Sequence, residues 1–219
     1  MIMEDERKKL IKFGRKMLNS GLTAGTGGNL SIFDHHEDLL AITPSGIPYE
    51  KMQTGDTVIT DINGNTIAGT AKPSSELSLH IEIYRNRRDI NAVIHTHSPF
   101  AVTVSCLEEE IPPVHYLVAD AGGEIVPCAG YARFGSRDLA KKVSETLGDK
   151  YQAALMAHHG LIACGQDIEG AYSTAENIEF VAEIYWRICA VGEPKTLDSE
   201  RMQDVISAFS DYGQREDFD

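Results

Sequence analysis

Two histidines separated by one residue stand out among the residues that could do chemistry. His95 and His97 close an apolar run that predicts a buried strand. Because side chains i and i+2 of a strand point to the same face, the two imidazoles project together. Such a pair is half of a site for Zn²⁺ or a similar divalent cation. The alternative is a hydrogen-bonded pair at a sheet edge, and this spacing alone does not decide between the two.

Two further features favour the metal. His158 and His159 precede Gly160 in a tight turn between apolar strands. Glu76 stands at the predicted start of a helix, where backbone N–H groups favour a carboxylate. Two histidines from a strand, one from a turn and one carboxylate suit a catalytic site with an exchangeable position, whereas a closed structural site would favour cysteine. The spacing leaves open which of the two turn histidines is the ligand.

His80 lies four residues after Glu76 and therefore on the same helix face. The first histidine of the H-E-x-x-H zinc motif is absent here. We therefore interpret His80 as a packed or supporting imidazole rather than a metal ligand.

Three short segments of small residues could hold an anion. They are the glycine-rich stretch 23–31, the segment 43–46, and Ser74-Ser75 at a predicted helix N-terminus. The first is neither a Walker A sequence nor a dinucleotide fingerprint, since it lacks Gly-Lys-Ser/Thr and precedes a strand. Together they predict a phosphate site.

The amino-acid composition limits the classes of molecule that the protein is expected to bind. The 20 Lys and Arg residues against 33 Asp and Glu give a formal net charge of −13, which disfavours nucleic acid and anionic lipid. An anionic substrate must then be recruited locally, by backbone N–H groups or by a metal. The acidic N-terminus is unlike a signal peptide, and the four widely spaced cysteines indicate reduced, buried thiols. We expect a cytoplasmic protein.

Helical and strand patterns are interleaved along the chain. Helices are predicted near residues 10–18, 76–85, 99–107, 136–148, 167–192 and 199–212, and strands at 39–43, 57–60, 66–68, 92–94, 153–156 and 161–164. Residues 61–65 predict a hairpin turn. Since the sequence shows no low-complexity stretch, internal repeat or linker, we expect a single domain over residues 1–219. Because the early strands are joined by turns too short for crossovers, its predicted fold is a three-layer α/β/α sandwich around a mixed, largely antiparallel sheet.

The chain resembles the class II aldolase and epimerase family in register over almost its whole length. The matching segments are Gly25-Thr26-x-Gly28-Asn29-x-Ser31, residues 42–51, Pro73–Glu76, His95-x-His97, residues 111–116, residues 131–135, residues 158–164 and Tyr212-Gly213. The resemblance implies the same α/β/α fold, Zn²⁺ (with Mn²⁺ possible) and a homotetramer.

The resemblance also assigns roles to residues. It implies metal binding by Glu76, His95, His97 and His158, and phosphate binding by Gly28, Asn29, Ser45, Gly46, Ser74 and Ser75. Thr26 and Phe134 match positions of the substrate pocket. Tyr116 and Tyr212 match catalytic tyrosines that complete the site from a neighbouring subunit.

The activity implied is reversible cleavage of a ketose 1-phosphate, here L-fuculose 1-phosphate, to dihydroxyacetone phosphate and L-lactaldehyde. Glu76 would be the general acid and base once substrate displaces it from the metal, and Tyr116 would serve the C4 oxygen.

Other functions of the same fold remain as alternatives. One is an L-ribulose-5-phosphate 4-epimerase, for which Asp120 falls about where the family's epimerases keep an acid, although those enzymes carry Asp at the position of Glu76. Another sugar-phosphate aldolase or a methylthioribulose phosphate dehydratase is a further alternative. A binding protein without chemistry, like the adducin head domain, is disfavoured because all candidate ligands and both tyrosines are present.

Overall fold

An eight-stranded sheet runs through the computed structural model, which describes residues 1–210. Its strands are β1 (Asn29–Asp34), β2 (Leu39–Ile42), β3 (Val58–Asp61), β4 (Thr66–Ala68), β5 (Ala92–Thr96), β6 (Cys128–Ala129), β7 (Ala153–Met156) and β8 (Gly160–Gly165). Their order across the sheet is β4-β3-β2-β1-β5-β8-β7-β6. Only the β6–β7 pair is parallel among these strands, so the sheet is mixed and largely antiparallel, as expected.

Six α-helices are found in the described part of the chain. They are α1 (Glu4–Asn19), α2 (Leu77–Asn86), α3 (Pro99–Ser105), α4 (Arg137–Leu147), α5 (Ile168–Val191) and α6 (Ser199–Ser210), with a 3-10 helix at Tyr116–Ala121. Local signals fix several ends: the Ser136 hydroxyl accepts from Leu139 N at the start of α4, and the Asp167 carboxylate accepts from Gly170 N at the start of α5.

The helices cover both faces of the sheet. Side chains alternate along β5, so that Ile94 packs into the apolar cluster with α1, α3 and α5, while Val93 packs into the cluster with α2 and α4. Most strand residues in both clusters are buried. The predicted three-layer α/β/α arrangement is therefore confirmed.

The structure also extends the predicted elements. The hairpin at residues 61–65 is present, with Asp61 N donating to Asn65 O at 3.0 Å between β3 and β4. Strand β6 and the 3-10 helix were not predicted, because a two-residue strand and a single 3-10 turn are too short to show a hydrophobic period. Within the described residues no helix is long and apolar enough to cross a membrane.

The four cysteines are free thiols, as expected, but only part of the expected burial is found. Cys164 is buried, Cys128 is partly buried, and Cys106 and Cys189 are exposed.

Candidate active site

The centre of the candidate site is a group of imidazoles at the end of β5. His95 lies within the sheet, opposite Asn29 of β1 and Ile162 of β8. Its Nε2 is 2.9 Å from Nε2 of His97, which directly follows the strand. With His159, these rings place three nitrogens within 4.8 Å of one another.

Glu76 completes this group from the other side. It is the N-cap residue of α2, and its backbone N–H donates to the Ser74 hydroxyl at 3.2 Å. Its carboxylate lies with Oε2 3.2 Å from His95 Nε2 and Oε1 3.6 Å from His159 Nε2. Three of the four expected ligands, Glu76, His95 and His97, therefore converge.

The expectation that His158 joins them is wrong for this structure. His158 adopts a left-handed backbone (φ 54°) in the turn between β7 and β8. His158 lines the exposed rim of the cleft, outside the group of converging nitrogens, and its Nε2 lies 2.9 Å from Oε1 of Glu108. His159, the next residue, points inward instead. Consecutive side chains of a tight turn diverge, and the sequence does not state which one faces the strand end.

Two glycines let the backbone approach the imidazoles. A Cβ on Gly160 would lie 2.2 Å from Thr96 O and 3.3 Å from the rings of both His95 and His97. A Cβ on Gly28, whose φ is +68°, would lie 2.4 Å from His95 O. Both positions therefore require glycine, because any larger residue would push the strands apart.

The protonation state of the His95 ring bears on whether this group of side chains can hold a metal. Its Nδ1 lies 2.9 Å from Leu161 O and donates to it, which leaves Nε2 with a lone pair. Burial, and then the neighbouring His159 and His97, hold the pKa of His95 well below its usual value. Burial also lowers the pKa of His97.

Several lone pairs therefore face one another in this group. Those of His95 Nε2 and Glu76 Oε2 point together, His97 Nε2 lies 2.9 Å from His95 Nε2, and the buried Oε1 of Glu76 has no hydrogen-bond partner among the described residues. A bound cation would satisfy such a group, and imidazole nitrogen with carboxylate oxygen suits Zn²⁺ or Mn²⁺. The residues present fit a divalent metal.

A cleft of about 410 Å³ opens in front of this group. One wall contains every residue expected to bind phosphate: Gly28, Asn29, Ser45, Gly46, Ser74 and Ser75. The segments after β2 and before α2 are joined there, because Ser45 N donates to Lys72 O and Ser74 N donates to Thr43 O. Among the described residues that line the cleft, none is lysine or arginine, so this wall offers backbone N–H groups and hydroxyls to an anion.

Part of the rim of the cleft is aromatic. Phe134 lines the cleft as expected, together with Tyr131, which we did not predict, and both side chains are exposed. Thr26 also lines the cleft. Tyr131 belongs to the segment 131–135 that carried the family resemblance, and that segment was the available signal.

Other candidate residues lie elsewhere. Tyr116 is exposed and contacts His115 and Phe209, and it is not among the residues that line this cleft. Asp120 accepts from the Asn177 amide at 2.5 Å. Tyr212 lies outside the described residues. His80 is fully buried beside Asn29, as a supporting imidazole would be.

Comparison with known proteins places this site in a family. The profile of the class II aldolase and adducin N-terminal domain family matches residues 8–186. A 5-deoxy-D-ribulose 1-phosphate aldolase of Bacillus thuringiensis serovar kurstaki is 46% identical over 98% of this chain and 100% of its own. An L-fuculose phosphate aldolase of Escherichia coli K12 is 40% identical over 95% of each chain.

A solved structure agrees with the sequence comparisons. That of an L-fuculose 1-phosphate aldolase matches with a TM-score of 0.91 at 40% identity, covering 94% of this chain and 96% of that one. The chain therefore belongs to the class II aldolase and adducin N-terminal domain family and is a class II aldolase, a metal-dependent lyase.

Proposed function

We propose that this enzyme cleaves a deoxyketose 1-phosphate reversibly between C3 and C4, releasing dihydroxyacetone phosphate and a short aldehyde. The observation that carries the proposal is the single cleft that combines a metal-type donor group with a wall of small polar residues. A 5-deoxypentulose 1-phosphate, which gives acetaldehyde, is the first substrate to test because of the 46% identical relative. L-fuculose 1-phosphate, which gives L-lactaldehyde, is the second.

The metal would be held by His95, His97 and His159, with Glu76 beside them. When Zn²⁺ or Mn²⁺ is bound there, it supplies Lewis-acid stabilisation of the negative charge that forms next to the substrate carbonyl.

Glu76 is the carboxylate among the described residues that line the cleft, and we assign proton transfer to it. Cleavage removes the proton of the C4 hydroxyl, breaks the C3–C4 bond and later returns a proton to C3. A buried carboxylate with one oxygen free of hydrogen bonds can hold and return such a proton.

The phosphate would lie against Gly28, Ser45, Gly46, Ser74 and Ser75. The position just before α2 supports this assignment, because helix N-termini favour anions. Without a basic side chain among the described lining residues, backbone N–H groups and hydroxyls are the available donors. The aldehyde end would then lie toward Phe134 and Tyr131, whose aromatic surfaces suit a terminal methyl group.

The proposed active unit is a homotetramer in which Tyr116 and Tyr212 reach the cleft of a neighbouring subunit. The exposed position of Tyr116, away from the cleft of its own chain, supports this part of the proposal. Sizing by light scattering tests it, and a monomer with full activity would contradict it.

The function is tested by incubating the purified enzyme with 5-deoxyribulose 1-phosphate and, separately, L-fuculose 1-phosphate. We expect dihydroxyacetone phosphate from at least one of them, with loss on chelation and recovery on adding Zn²⁺ or Mn²⁺. Failure with both would overturn the proposal.

L-ribulose 5-phosphate, tested for epimerisation, addresses the remaining reading. A positive result would move the assignment to a 4-epimerase, and Asp120→Asn would then be the variant to measure.

A further inference from the structure

A chain of buried polar side chains runs away from the cleft, behind Glu76. Asn29 Nδ2 donates to Glu76 Oε2 at 3.0 Å, and Asn29 Oδ1 is 2.5 Å from His80 Nε2. His80 Nδ1 is 2.6 Å from Ser31 Oγ, which is 2.7 Å from the Tyr84 hydroxyl. All five residues are 5% exposed or less, with His80 and Ser31 at 0%.

The carboxylate of Glu76 sets the direction of the first two bonds of this chain. The Asn29 amide must turn its N–H toward the carboxylate, because its oxygen would be repelled there. Its Oδ1 therefore accepts, so His80 Nε2 carries the hydrogen. Beyond the ring, the Tyr84 hydroxyl also donates to Ser31 O at 3.1 Å, so the chain ends on the backbone of β1. The bonds of His80 Nε2 and of Asn29 both point toward Glu76.

The far end of the chain is closed. Tyr84 is 2% exposed and stacks on Phe33 at 5.0 Å in the apolar cluster beneath α2. Protons from solvent therefore have no path through it, and the chain positions groups rather than conducting protons.

We propose that His80 is a positioning residue which, as an Nε2–H donor, fixes the Asn29 amide and thereby gives the two oxygens of Glu76 different roles. Oε2 is held by Asn29, whereas the buried Oε1 has no hydrogen-bond partner among the described residues and lies 3.6 Å from His159 Nε2. Oε1 is then the oxygen that carries the proton during cleavage. This step rests on the proposed function, but the orientation of the chain does not.

The orientation is tested by long-range ¹H–¹⁵N NMR of the histidine rings in the full-length protein, as purified and after chelation. We expect His80 Nε2 to carry a hydrogen in both samples. A His80 ring protonated at Nδ1 alone would overturn the proposal, and this result does not depend on any substrate being cleaved.

The positioning role is tested by Ser31→Ala, which removes the hydroxyl from His80 Nδ1 and keeps the small size of the residue. Removal of partners behind metal-site residues typically lowers activity by about 10–100-fold, and we expect kcat to fall in that range with KM changed less than about twofold. Tyr84→Phe, one bond further away, should have a smaller effect of the same kind.

Tyr172→Phe is the matched control. It removes the hydroxyl of another buried tyrosine, which is bonded to Ser20 and not to any member of this chain of side chains. It should leave kcat unchanged. Wild-type kcat in Ser31→Ala, or equal losses in Ser31→Ala and Tyr172→Phe, would overturn the positioning role.

Discussion

The floor and the rim of the cleft hold their side chains in different ways. On the floor, His95 is 0% exposed and Glu76 5%, and both have partners from β1, β8 and the neighbouring turn. On the rim, Phe134 is 61% exposed and Tyr131 58%. The floor therefore has one arrangement fixed by the sheet, whereas the rim lies on a loop that can change without disturbing the fold.

This difference separates two requirements of an aldolase. Metal binding and proton transfer require atoms at fixed positions, and the floor supplies them through polar groups that bond one another. Choice of the aldehyde depends on small differences in apolar contact, which exposed aromatic residues can supply. Leaving a buried polar group unpaired costs about 1–3 kcal/mol, whereas exposed substitutions usually stay within about 0.5 kcal/mol.

The largest effect is expected for Glu76→Gln. Loss of the general acid and base should lower kcat by about 10²–10⁴-fold in the dihydroxyacetone phosphate assay. Glu108→Gln is the matched control, because Glu108 also lies against a histidine, His158, but at the exposed rim. It should keep activity within about threefold. More than about a tenth of wild-type kcat in Glu76→Gln would show that another group transfers the proton.

The two adjacent turn histidines give the next contrast. His159→Ala removes one of three converging nitrogens, and we expect metal affinity to fall by more than the roughly 10–100-fold typical of residues behind a metal ligand. His158→Ala removes a ring bonded to Glu108 and should leave metal content unchanged. Metal analysis after dialysis against a competing chelator measures both. The reverse result would restore the assignment made from the sequence.

His158 and His159 also show how much of the site can be predicted from the sequence. Strand periodicity correctly places His95 and His97 on one side, and the small polar segments predict the wall that faces them. The choice between His158 and His159 depends on a backbone dihedral, the φ of 54° at His158, and no hydrophobic period reports that angle. The resemblance suggested the other residue.

Long-range contacts are the second limit. The spacing of Glu76 and His80 indicates a shared helix face, and both do face the sheet. Asn29 lies between Glu76 and His80 only because β1 pairs with β5 and α2 packs against the sheet. Residues 47 and 51 positions apart cannot be paired from local patterns.

The buried histidines predict an acid-sensitive fold. The pKa of His80 is about 3 in the folded protein, against about 6.5 in an unfolded chain. Between these two values the unfolded state therefore binds more protons than the folded state. The free energy of unfolding is highest above pH 6.5 and falls as the pH is lowered toward the pKa of the folded state. One such group contributes about 1.4 kcal/mol per pH unit in that window.

Urea unfolding of the metal-free protein from pH 7.5 to 4.5 measures this slope. His80→Gln should reduce the dependence of the unfolding free energy on pH by the contribution of about one proton. His36→Gln, at an exposed position, should leave that dependence unchanged. An unchanged slope in His80→Gln would mean that the ring is charged in the folded state.

The smallest effect is expected at the rim, for Phe134→Ala. A lost methylene contact is worth about 0.8 kcal/mol, so we expect kcat/KM for the preferred deoxyketose phosphate to fall by about threefold to tenfold. The thermal midpoint should stay within about 2 °C, because the side chain is already exposed. The ratio of kcat/KM for 5-deoxyribulose 1-phosphate to that for L-fuculose 1-phosphate is the quantity to measure. A loss equal for both substrates and as large as that of Glu76→Gln would place Phe134 with the floor, and the separation of chemistry from specificity would not hold.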